Sequence, residues 1–185
     1  MRTKTKHTTS AAQGFSLIEM MISMVVLAVG LLGMNLMFIT AMSTNNKNSH
    51  DTSATMAAQM VLEQITAQPA NSTAAITVTD CAGNTRTVAT AGAVAPGAGA
   101  PLLTTGPNVG TINQLAVPVP NYSMTYMACA PPGSSLQTAY DVRWNVMTMD
   151  ADTRLVTVAA RQFSGTQLGG LRFAMPVNVR SIGGR

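Results

Sequence analysis

Apolar residues crowd one block near the start of the chain. From Phe15 to Met42 the sequence reads FSLIEMMISMVVLAVGLLGMNLMFITAM, 28 residues in which Glu19 is the only ionisable side chain. As a helix this block rises about 42 Å, more than the roughly 30 Å of a bilayer's hydrocarbon layer. A polar stretch, TNNKNSHDTS over residues 44–53, follows it. Then Ala54, Ala57, Ala58, Val61, Leu62 and Ile65 recur at helical spacing and form an amphipathic stripe. Gln68-Pro69 ends the pattern, because the residue before proline disfavours the helical region. The spacing predicts one helix over 15–68, about 81 Å long. One half suits lipid and the other suits the face of a sheet. Gly30 and Gly33 each cost about 1 kcal/mol against alanine. They read either as close-packing positions between helices or as a weak point where the helix unwinds.

Beyond Pro69 the pattern turns strand-like. Residues 75–79 (AITVT) predict a short strand, with a turn at Ala82-Gly83-Asn84. Residues 88–110 (VATAGAVAPGAGAPLLTTGPNVG) are rich in Ala, Gly and Pro without a sustained period, and read as a long, mobile loop. Residues 122–127 alternate and lead to Cys129. Tyr140, Val142, Trp144 and Val146 fall on one face with Asp141, Arg143 and Asn145 opposite, the mark of a half-buried strand. Asp150-Ala151-Asp152-Thr153 supplies turn chemistry and residues 155–160 the returning strand, so a hairpin is predicted over 140–160. A last strand is predicted over 171–179, with Pro176 marking an edge or a break. One long N-terminal α-helix on a small antiparallel β-sheet is an α+β fold.

Composition sharpens this picture. Charged residues make up only 10% of the chain, against roughly 25% in an ordinary soluble domain. The positive mean hydropathy, +0.22, comes largely from the single block. The net charge is +4, yet Arg2, Lys4 and Lys6 sit in the first six positions and the other basic residues are scattered. With aromatics at 4% and no basic stripe, specific nucleic-acid binding is not expected. The flanking positive charges place the N-terminus in the cytoplasm and everything after the apolar block outside. Cys81 and Cys129 form no CxxC or Cys/His cluster, so no metal is expected there. In an exported domain such a pair is expected to be a disulfide; two buried free thiols are the alternative.

The apolar block admits three readings. A cleaved secretory signal with a site near Ala41-Met42-Ser43 is one, but the block is about twice the usual 7–15 residues. An uncleaved signal anchor is the second. The third rests on the string Gly14-Phe15-Ser16-Leu17-Ile18-Glu19, which follows a short basic leader and heads the long apolar run. Here the sequence resembles the type IV pilin and pseudopilin superfamily. The resemblance implies a leader over 1–14, cleavage after Gly14 by a prepilin peptidase, and methylation of the new N-terminus at Phe15 by the same enzyme. It implies that Glu19 pairs with the Phe15 amine of a neighbouring subunit in a filament. It divides the chain into a filament-core half of the helix (15–42), an amphipathic half (43–68) and an extracytoplasmic β-rich domain (69–185). The partners it implies are other major and minor pilins, with residence in the inner membrane before assembly and on the cell surface after it.

The run Val29-Gly30-Leu31-Leu32-Gly33-Met34 and the Tyr-x-Val-x-Trp strand look like V-type minor pilins, the modification proteins that prime or tip a pilus. A major pilin and a type II secretion pseudopilin are the alternatives. Pilins commonly close a C-terminal loop with a disulfide; a Cys81–Cys129 bond would instead enclose the Ala/Gly/Pro segment. The rival of another class is a membrane-anchored enzyme. Past the leader the single histidine is His50, next to Asp51, and neighbours in a helix do not face each other. No GxSxG, HExxH or phosphate-cradling motif occurs, so neither catalysis nor a cofactor is expected. Asp150 and Asp152 could ligate calcium, but a hairpin turn accounts for them more simply.

Overall fold

The computed structural model describes residues 16–129, 137–163 and 175–184. It is a long N-terminal helix packed on antiparallel β-sheets. The chain divides into two units, 1–46 and 47–185. The helix α1 (Leu17–Thr66) belongs to both. Thr66 lies two residues short of the predicted end, and the chain leaves the helix before Gln68-Pro69 as expected.

In the second unit α1 buries Ala54, Ala57, Ala58, Val61 and Ile65, with Leu62 half-buried beside them. Two sheets receive it. The smaller pairs β1 (Ile76–Thr79) with β2 (Thr85–Val88), and β2 was not anticipated from the sequence. The larger runs β3-β5-β6-β7, with β4 also on β5. Its strands are β3 (Ala98–Gly99), β4 (Ser123–Met127), β5 (Ala139–Asp150), β6 (Thr153–Gln162) and β7 (Val177–Gly184). β7 is shifted from the predicted last strand: it begins after Pro176 and runs past Val179. The first part of that prediction, residues 171–174, lies outside the described residues.

The predicted hairpin is the spine of the sheet. Val142 faces Ala160, Trp144 faces Val158 and Val146 faces Val156, and all six are fully buried under α1. Trp144, the only tryptophan, donates its indole N–H to Ala89 O at 2.9 Å.

The opposite face of β5 departs from expectation. Asp141, Arg143 and Asn145 are buried too, so the strand is covered on both sides. The cover is the Ala/Gly/Pro segment and its continuation to residue 121, predicted as a loose loop. Ala100 and Ile112 pack on Ala159, and Asn145 Nδ2 donates to Ala100 O at 3.0 Å. Arg143 donates to Asp141 and, through Nη1, to Ala116 O at 2.6 Å; Arg161 reaches Asp141 from across the pair at 3.2 Å. A buried ion pair needs such extra bonds to offset desolvation. Sequence period could not show this layer, because it binds largely through backbone carbonyls.

Gly99 shows how tightly the layer sits. Its φ is +104°, and a Cβ there would lie 2.5 Å from Trp144 O and against the Tyr122 ring. Gly99→Ala is expected to destabilise the second unit by about 1–3 kcal/mol. Urea unfolding followed by Trp144 emission measures it. An unchanged midpoint would mean that the layer is not fixed.

Candidate functional site

Of the Gly14–Glu19 string, Gly14 and Phe15 lie outside the described residues, as does the remainder of the 1–14 segment. Ser16 precedes the helix, and its carbonyl accepts the Met20 N–H at 3.2 Å. Glu19 therefore stands in the first turn of α1, where unpaired N–H groups give a partial positive charge and favour a carboxylate. Its side chain is exposed.

Three other polar side chains occur between residues 17 and 42, and each is satisfied within the helix. Ser23 Oγ donates to Glu19 O at 2.7 Å, Asn35 Nδ2 to Leu31 O at 2.9 Å and Thr40 Oγ1 to Leu36 O at 2.8 Å. Such back-bonding is what makes a polar side chain tolerable on an apolar helix. The Glu19 carboxylate, an acceptor only, makes no hydrogen bond among the described residues. It is the one ionisable group of this stretch, and the one polar side chain there without a hydrogen bond among the described residues.

Around it the surface is apolar without interruption. Every large apolar side chain from Leu17 to Met42 is more than half exposed, from 52% at Leu31 to 79% at Leu17. The helix continues through Gly30 and Gly33, where a Cβ would meet nothing within 4 Å. Soluble monomers rarely expose a patch of this extent, so this surface requires lipid or other chains to cover it. α1 is long and apolar enough to cross a membrane.

Among the described residues of the second unit lie the other sequence-predicted candidates. His50 Nδ1 lies 3.5 Å from the Tyr140 hydroxyl, whose pKa burial pushes above its usual 10; the Ser53 side chain opposes that rise and Asp51 adds to it. Asp150 and Asp152 are exposed at the β5–β6 turn, and no cluster of three metal-ligating side chains occurs among the described residues. Cys81 and Cys129 are joined by a disulfide, Cα–Cα 5.0 Å, which closes a 48-residue separation around the covering segment.

Arg154 is the residue that sequence reasoning passed over. It is 1% exposed, and Nη2 donates to Ile65 O, in the last turn of α1, and to Gln68 O just past its end (2.7 Å for the latter). Burial lowers its pKa. Its signal was readable: Arg154 shares strand parity with Val156, Val158 and Ala160, a cation on an otherwise apolar face.

Residues 9–35 match the family model described as the prokaryotic N-terminal methylation motif. No curated protein and no solved structure matches the chain. The matched segment contains the predicted cleavage point, Glu19 and the exposed apolar helix as far as residue 35. The chain thus carries a methylation motif at the head of an apolar helix, which supports a prepilin of the type IV pilin and pseudopilin kind.

Proposed function

We propose that the chain is a minor type IV pilin: a leader-bearing subunit held in the inner membrane by residues 15–42 and then built into, or priming, a surface filament. The observation that carries the reading is the methylation motif at the start of a helix whose apolar side chains from Leu17 to Met42 are exposed. In the membrane, lipid covers it. In a filament, the same residues of neighbouring subunits do, and Glu19 meets the amine of a neighbour's Phe15. Residues 1–14 are the leader, cut after Gly14 on the cytoplasmic side by a prepilin peptidase that also methylates Phe15. Residues 43–68 and the domain over 69–185 lie outside the cell membrane, where an oxidising milieu suits the Cys81–Cys129 bond. The V-type assignment within the pilins rests on the Val29–Met34 run and the Tyr140-x-Val142-x-Trp144 strand.

Mass spectrometry of the protein recovered from its native host tests this. The expected mature N-terminus is N-methylated Phe15. An intact leader, or a chain starting near Ser43, would sink the reading. Deleting the gene and scoring surface pili against secreted enzymes separates a pilus subunit from a secretion pseudopilin; cellular abundance separates minor from major.

A further inference from the structure

The disulfide sits beside a second, non-covalent clasp. Asp80 is buried, and its Oδ1 accepts the backbone N–H groups of Ala82 (3.0 Å) and Asn84 (2.8 Å). Its Oδ2 accepts Asn84 Nδ2 (3.0 Å) and the N–H of Met127 (3.3 Å). The neighbouring Cys81 N–H donates to the carbonyl of that same Met127 at 3.2 Å. Residues 80 and 81 therefore hold both polar groups of Met127, two residues before Cys129. The carboxylate also fixes the turn that follows Cys81.

We propose that Asp80 is a positioning residue for formation of the Cys81–Cys129 disulfide. By tying the β1–β2 turn to the end of β4, it holds the two thiols within bonding reach before any oxidation occurs. Oxidation then loses little chain freedom, because the native hydrogen bonds have already removed it. Burial alone would raise the Asp80 pKa, yet bonds from the Asn84 side chain and from the Asn84, Met127 and Ala82 amides outweigh it, holding the carboxyl below its usual 3.8. That direction fits a carboxylate whose ionised form is the one bound. The inference holds whether or not the chain enters a filament.

With glutathione disulfide as oxidant the step balances. One protein thiolate attacks a glutathione sulfur and releases a glutathione thiolate. The second protein thiolate then attacks the mixed disulfide and releases another. Two protein thiols lose two electrons and two protons; two glutathione thiols gain them.

The test measures the equilibrium constant for oxidation of the reduced full-length protein, in detergent, against reduced and oxidised glutathione. Asp80→Asn is expected to lower it by roughly tenfold or more, since hydrogen bonds to a charged group are lost. In concentrated urea, wild type and variant are expected to agree. Gly99→Ala, which perturbs the domain elsewhere, is expected to stay near the wild-type value. An unchanged constant in Asp80→Asn would overturn the proposal, as would an equal fall in Gly99→Ala. Should reduced Asp80→Asn lose native Trp144 emission, Asn84→Ala replaces it: a several-fold fall supports the proposal, and no change overturns it.

Discussion

Replacing Glu19 by leucine is expected to remove the subunit from sheared surface filaments while leaving its amount in the membrane unchanged or raised. A carboxylate at the centre of a membrane helix costs about 2.5–3.5 kcal/mol, and less near an interface. Glu19 stands in the first helical turn, so in the membrane form the helix dipole and nearby water relieve part of that cost. Leucine relieves all of it. In the proposed filament the balance inverts. There the carboxylate faces the Phe15 amine of another subunit, and leucine leaves that amine buried and unpaired. Breaking a buried pair by removing one partner costs about 3–5 kcal/mol. An oligomer pays it at each such contact. Immunoblots of sheared and membrane fractions give the ratio; recovery of Glu19→Leu in fibres at the wild-type level would remove the role assigned to Glu19.

How much of this could be read from the chain depends on which groups do the binding. Side chains that bind through their own period were legible. The stripe Ala54 to Ile65 and the alternation Tyr140 to Val146 predicted the helix-on-sheet core, and the structure buries those residues against one another. The covering layer was not legible, because its acceptors are the carbonyls of Ala91, Ala100 and Ala116, which any residue would supply. Tyr122, Asn145 and Arg143 donate to them, and only the donors leave a trace in sequence. Asp141, Arg143 and Asn145 on one strand face looked like a solvated surface, since period distinguishes two faces but not what lies over each. The N-terminal site stood out for the opposite reason. Its carboxylate interrupts a run with no other charge.

Arg154→Met is expected to destabilise the second unit by about 2–4 kcal/mol, the largest effect of any single change to its core polar groups. Two opposing contributions decide the sign. Methionine removes a buried cation, whose desolvation costs several kcal/mol, and replacing a whole buried ion pair by apolar side chains is often neutral or better. Here no carboxylate pairs with Arg154 among the described residues. Its counter-charge is the carbonyl end of α1, which carries about half a negative charge and cannot be removed with it. The α1 sequence places no basic residue in its last turn, and the local donor to these carbonyls is the Gln68 N–H, which reaches Ile65 O at 3.1 Å. Methionine thus leaves Gln68 O and Thr90 O without their donor, at about 1–3 kcal/mol each when buried, and Ile65 O with the Gln68 N–H alone. Two orphaned acceptors and a third left with one bond outweigh one relieved cation. Arg154→Lys keeps the charge but not the fork of donors, and is expected to fall between the two. Urea midpoints read from Trp144 emission rank the three proteins, and a methionine variant as stable as wild type would show that desolvation of the guanidinium, rather than capping of the helix, dominates at this position.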